Sequence, residues 1–190
     1  MPVTIIGPKD RSPLPDGAIF INTTSQSKDW GRGFSPFILG PCELYGGQIA
    51  QNVENAWQFA KVYKCHTDSN GNPTEEYWQW AKAGWNSHRA ERYPMGKGTI
   101  PEYTWWDGEK LSYIEARKKV YAPLYYTAVL NTVVYNKLRD LYCNGANIFL
   151  WDFDGYDNEK KGMSLEDVLN CPTMTMGHSF VLAAMLRKGI

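Results

Sequence analysis

Residues 110–145, KLSYIEARKKVYAPLYYTAVLNTVVYNKLRDLYCNG, carry the longest helical pattern in the chain, and they run directly into ANIFLWDFD at 146–154. That junction constrains the fold most. A helical pattern closed by a glycine, Gly145, and followed at once by an almost continuous apolar run sets a helix end beside a buried strand. Pro123 has no amide hydrogen and its ring crowds the preceding turn, so it is expected to kink or split the helix. The strand delivers Asp152, Asp154 and Asp157 at its far end.

Upstream, the first seventeen residues hold a short apolar piece and then Pro8, Pro13 and Pro15 among charges, which predicts an extended arm over 1–17. Compact structure is expected from Ala18 onward as one domain, 18–190. AIFINTT reads as a strand, and FILGPCELYGG as a hairpin broken by Gly-Pro and closed by Gly-Gly. From Ala50 to about Tyr63 the pattern turns helical, with Val53, Trp57 and Ala60 on the core side. A second helix is expected over 75–92, within an aromatic-rich insert near 64–100 that holds Trp78, Trp80 and Trp85. YPMGKGTIPEYTWWDGE reads as a loop, and TMTMGHSFVLAAMLRK as a loop leading into a C-terminal helix. The expected class is α+β, a mainly helical single domain with a small antiparallel sheet.

With 43% hydrophobic and 14% aromatic residues, the chain has ample apolar area for a core, which excludes disorder. Twenty Lys and Arg balance twenty Asp and Glu, so no overall positive field draws it to nucleic acid or acidic membranes, and either would be met through a local patch. No charged segment followed by an apolar one opens the chain, and no apolar run reaches membrane-spanning length. The expectation is a soluble, cytoplasmic protein without a membrane partner. Cys42, Cys65, Cys143 and Cys171 are far apart and form no CxxC, so they read as reduced, mostly buried thiols. His66, His88 and His178 stand singly, and neither a metal nor a cofactor is expected.

Three polar groups fall where burial is expected. On a helix, Gln58 lies about 40° from Glu54, and Lys61 about 20° to the other side, so NVENAWQFAK lines up a carboxylate, an amide and an amine. The stripe is either a solvated face or a row of reactive groups aimed into a pocket. Asp152 follows IFLW directly and needs a partner if buried; Lys61 is one cation that would satisfy it, whereas Asp154 and Asp157 also fit plain turn chemistry. In WGRGFSPF, the glycines around Gly33 would let backbone amides approach a polar ligand near Phe34, Ser35 and Phe37, although no Walker or dinucleotide spacing is present. Trp105 and Trp106 are adjacent and face opposite ways in extended chain, so one can be core while the other stacks on a base.

Taken in order, IFINTTS, WGRGFSPF, VENAWQFAK, LWDFDGYD and TMGHSFVLAAML resemble the NADAR superfamily over about residues 18–187. The most specific piece is Glu54, Gln58 and Lys61 at spacings of four and three. Asp152 and Asp157 fall where the family has two acids, whereas Pro36 replaces an asparagine and no Trp-Gly follows Asp157. A diverged or viral-type member fits these departures as well as a housekeeping one. The resemblance implies an N-glycosidase acting on an ADP-ribosyl or ribosyl-nucleobase substrate, with Glu54, Lys61, Asp152 and Asp157 catalytic. Gly33, Phe34, Ser35, Phe37, Gln58, Trp105, Trp106 and Asp154 would hold the substrate, a small nucleotide or an ADP-ribosylated nucleobase, free or in nucleic acid. Lys61 would form a Schiff base with the opened ribose, or else Asp152 or Glu54 would activate water. The alternatives are a binding module for an ADP-ribose-like ligand or modified DNA, and a transferase acting on a modified nucleobase.

Overall fold

The computed structural model describes residues 3–188; residues 1, 2, 189 and 190, which the expected arm and domain include, lie outside them. In chain order the first elements are strands β1 (Val3–Ile6) and β2 (Ile19–Asn22), a 3-10 turn at Trp30–Phe34, strands β3 (Cys42–Glu43) and β4 (Ile49–Ala50), helix α1 (Val53–Gln58) and strand β5 (Lys61–Val62). Helix α2 (Glu75–Asn86), strands β6 (Tyr103–Trp106) and β7 (Glu109–Leu111), helix α3 (Tyr113–Ala116) and a π turn at Arg117–Tyr121 follow. The chain closes with α4 (Ala122–Leu130), α5 (Val133–Cys143), strand β8 (Ile148–Trp151), α6 (Leu165–Asn170) and α7 (His178–Lys188). The class is α+β, as expected. The chain divides into two compact units, one formed by residues 1–36 with 125–190 and the other by 37–124.

The first unit is built on β8, the apolar run read as a buried strand. It lies between β1 and β2 and runs parallel to both, with Ile148 opposite Val3 on one side and Ile19 on the other. Alternation along the strands buries Val3, Ile5, Ile21, Ile148 and Leu150 with Leu182, Ala183 and Leu186 of α7. This corrects the expected arm: Val3–Ile6 is a core strand, because the short apolar piece supplies the edge that β8 needs on that side. Gly145 does cap α5. At φ 83° it lets the Ala146 amide reach the Leu141 carbonyl at 3.1 Å, while its own amide meets that of Tyr142 at 3.0 Å.

The long helical pattern does break, though not at the proline. The widened turn at Arg117–Tyr121 precedes Pro123 and shifts the hydrogen bonding so that the ring fits, and the helix runs on to Leu130. The interruption comes at Asn131–Thr132, where the Thr132 hydroxyl accepts from the Tyr135 amide at 3.2 Å and starts α5.

In the second unit, α1 begins at Asn52, whose side chain accepts from the Asn55 amide at 2.8 Å, and it lasts only to Gln58. β5 then pairs with β6, and β6 with β7, in an antiparallel sheet. The region read as a loop therefore contains a hairpin. Asp107 and Gly108, at φ 47° and 87°, make its two-residue turn, the geometry that an Asp-Gly pair favours. The hairpin expected in FILGPCELYGG is corrected: Phe37–Leu39 is a turn, and the strand Cys42–Glu43 after Gly-Pro pairs instead with Ile49–Ala50, beyond the Gly46-Gly47 turn.

Helix α2 ends at Asn86 rather than Arg92, and Asn55 is the reason. Its side-chain amide donates toward the carbonyls of Gly84 (3.0 Å), Ser87 (2.9 Å) and Arg89 (3.0 Å), and its oxygen accepts from the Glu91 amide at 2.9 Å. The backbone of 87–91 is thus held by a buried side chain instead of by its own helix. The thiols also depart from expectation, since only Cys42 is buried while Cys65 and Cys143 are exposed. Cys65 sits in a 3-10 turn and Cys143 ends α5.

Candidate functional site

The stripe read from 52–61 is a hydrogen-bonded row in the second unit. Gln58 Nε2 donates to Glu54 Oε1 at 2.9 Å, and Lys61 Nζ donates to Gln58 Oε1 at 2.6 Å. Two elements build it. Glu54 and Gln58 are one turn apart on α1, whereas Lys61 comes from β5, which the Lys61–Thr104 register holds in place. The solvated-face reading is therefore corrected, because Glu54 and Gln58 are both only 6% exposed. The Lys61 ammonium also lies 4.8 Å from the centre of the Trp57 ring.

Gln58 and Lys61 open onto a cavity of about 460 Å³ whose walls include Tyr63, Tyr93, Ile100 and Tyr113. Glu54 is not part of its wall and reaches it through the Gln58 amide. Burial disfavours the charged amine and pushes Lys61 down from 10.5 to about 8; the Glu54 charge opposes this, and the Arg92 charge adds to it. The result is a half-buried primary amine whose charged form is disfavoured, beside aromatic walls and an amide of fixed orientation.

The wall tyrosine Tyr113 starts α3 behind a capping box formed by Ser112 and Glu115. The Arg117 guanidinium lies 4.4 Å from its ring centre, and Arg117 Nη2 donates to the Tyr113 hydroxyl at 2.8 Å. Arg117 itself is only 2% exposed.

Trp105 and Trp106 do face opposite ways on β6, but neither belongs to the cavity wall. Trp105 meets the edge of Trp78 at 5.9 Å, and Trp106 meets Tyr45 at 5.0 Å. Phe37, half-buried, opens the second unit.

The remaining predicted residues belong to the first unit, where the structure gives them packing and capping roles. Gly33 lies in the 3-10 turn against Val134, 2.8 Å from where a Cβ would stand. Phe34 and Ser35 are buried, and the Tyr125 hydroxyl donates to the Phe34 carbonyl at 2.8 Å. Gly33 thus lets the turn pack closely on Val134. Asp152 is 3% exposed, and its partner is His178, with Nδ1 3.1 Å from Oδ2. The same carboxylate accepts from the Ser179 amide at 3.1 Å at the start of α7 and from the Asp154 amide at 3.2 Å. Asp157 accepts from the Lys160 amide at 3.1 Å, which is the turn chemistry that its sequence also allowed. Among the described residues, no three His, Cys, Asp or Glu side chains gather as a metal site requires.

Sequence reasoning missed Tyr63, Tyr93 and Tyr113 as cavity walls, Asn55 as the anchor of 87–91, and His178 as the partner of Asp152. Only Tyr113 has a local signal, the Ser-x-x-Glu capping box at 112–115. No known protein family, curated protein or solved structure matches this chain. No helix among the described residues is long and apolar enough to cross a membrane.

Proposed function

We propose that the second unit carries the reactive centre of an N-glycosidase for an ADP-ribosyl or ribosyl-nucleobase substrate, with Lys61 as the nucleophile. The observation that carries this reading is the Lys61 amine itself, half-buried at the cavity wall, hydrogen-bonded to Gln58 and pushed down to about 8 by burial. A neutral amine attacks C1′ of the ribose, the C1′–N bond breaks, and its electron pair leaves with the base. Opening of the sugar ring gives a Schiff base, and water hydrolyses it to the free sugar aldehyde and the regenerated amine. One water is consumed overall. Glu54 acts through Gln58, whose amide it orients so that the oxygen faces the amine. The partner implied is a small nucleotide or an ADP-ribosylated nucleobase, free or in nucleic acid, met in the cytoplasm.

The test is incubation with ADP-ribosylated guanosine, cyclic and histidine-linked ADP-ribose, and riboflavin precursors in the presence of borohydride. Mass spectrometry then follows released base and adducts. A ribosyl adduct reduced onto Lys61 is expected, and Lys61→Arg should lose both the adduct and the base release while staying folded, because a guanidinium keeps the charge but forms no imine. Base release by an untrappable Lys61→Arg variant would exclude covalent catalysis at this residue. Tight ligand binding without any base release would favour the binding-module alternative.

A further inference from the structure

An N-riboside whose leaving base carries a full negative charge departs poorly, so cleavage calls for a proton donor on the base side. The cavity wall contains one hydroxyl with its geometry set for that purpose. Tyr113 is 49% exposed, and its oxygen accepts from Arg117 Nη2 at 2.8 Å. A guanidinium only donates, so this contact occupies an oxygen lone pair and leaves the Tyr113 proton available for another acceptor. The guanidinium also stands 4.4 Å from the ring centre, where it stabilises negative charge developing on the phenol. It cannot move away easily, being 2% exposed and set by the π turn, a local irregularity that recurs at functional sites. Tyr113 is fixed in turn by the Ser112–Glu115 capping box.

We propose that Tyr113 is the acid that protonates the departing base and that Arg117 is its positioning residue. The inference rests on the N-glycosidase reading and names the group which that reading lacks. As the C1′–N bond breaks, its electron pair goes to the base nitrogen, which takes the Tyr113 proton. The phenolate that remains is held by Arg117. Attack turns the Lys61 amine into a secondary ammonium on C1′, and one proton from that nitrogen, relayed by water, restores the phenol, so the step creates and consumes no net proton. A phenol supplies general-acid catalysis of this kind in other enzymes, contributing about 10²-fold or more.

The experiment compares the parent protein, Tyr113→Phe and Arg117→Lys on two probes that share the ADP-ribosyl group and differ in the leaving base. ADP-ribosylated guanosine requires protonation of its base. In NAD the nicotinamide leaves as a neutral molecule and requires none. Tyr113→Phe should lower kcat on the guanosine adduct by about 10²-fold, with KM little changed, and alter NAD cleavage by less than about threefold. Arg117→Lys, which keeps a cation but not the planar fork, should show a smaller loss of the same leaving-group dependence. If the parent cleaves the guanosine adduct alone, the solvent isotope effect decides, because proton transfer to the base should slow the parent in heavy water and Tyr113→Phe should lack that transfer. An equal loss on both probes, no loss on the guanosine adduct, or an unchanged isotope effect overturns the inference while Lys61 trapping still stands. A parent that releases neither base and traps nothing on Lys61 overturns the inference together with the reading beneath it.

Discussion

The imidazole of His178 and the carboxylate of Asp152 face each other at 3.1 Å, with their side chains only 6% and 4% exposed. The other ring nitrogen, Nε2, lies 2.9 Å from the Thr23 carbonyl. Both ring nitrogens thus have an oxygen partner inside the fold. Gly177 completes the fit, since a Cβ there would collide with the Asp152 carboxylate.

Asp152→Ala is therefore expected to act on stability. It strips a buried imidazole of its partner and leaves the Ser179 amide at the start of α7 without its acceptor. Buried polar groups left unpaired cost about 1 to 3 kcal/mol each, which urea unfolding would register as a lower midpoint. A variant as stable as the parent that has lost base release would return Asp152 to the reaction.

Asn55→Ala should free the segment 87–91. The side-chain NH2 shares its two hydrogens among the carbonyls of Gly84, Ser87 and Arg89 and the oxygen accepts from the Glu91 amide, and buried groups left unpaired cost about 1 to 3 kcal/mol each. Hydrogen exchange should rise at Glu91 before it rises in α1. Unchanged exchange there would mean that the segment is held by other contacts.

Lys61 ties stability to pH in the sense opposite to an ion-paired lysine. Burial sets it at about 8 in the folded chain against 10.5 without burial, so between these values the unfolded chain binds more protons. The burial penalty is complete below about 8, and stability rises as pH climbs from there toward 10.5. Urea midpoints of the parent and Lys61→Met, taken near pH 7 and near pH 10, should draw together at the higher pH. A gap independent of pH would place the amine in solvent.

How much could be seen in advance depended on how far apart the partners lie in the sequence. Glu54, Gln58 and Lys61 span eight residues, so their grouping survives even though Lys61 leaves the helix for β5. The apolar run at 148–151 shows a buried strand without revealing that Val3–Ile6 is its neighbour, because an edge strand so short has no pattern to distinguish it from an arm. Asp152 showed its need for a partner, but His178 stands 26 residues further on and has no spacing motif to mark it. The Asp107-Gly108 turn was written in the chain and obscured by the prolines and glycines around it. Tyr63, Tyr93 and Tyr113 come from three separate elements and share a cavity only once the chain is folded.

The parallel sheet β1–β8–β2 has a consequence for how the polypeptide emerges during synthesis. All three strands of the β5–β6–β7 sheet have been made by Leu111, inside the uninterrupted stretch 37–124. β1 and β2, by contrast, are translated early and wait for Ile148–Trp151 before either has a hydrogen-bonding partner. Closing so long a loop is slow relative to local pairing. Through most of translation, then, the hydrophobic strands Val3–Ile6 and Ile19–Asn22 are open-edged and available to chaperones or to other nascent chains.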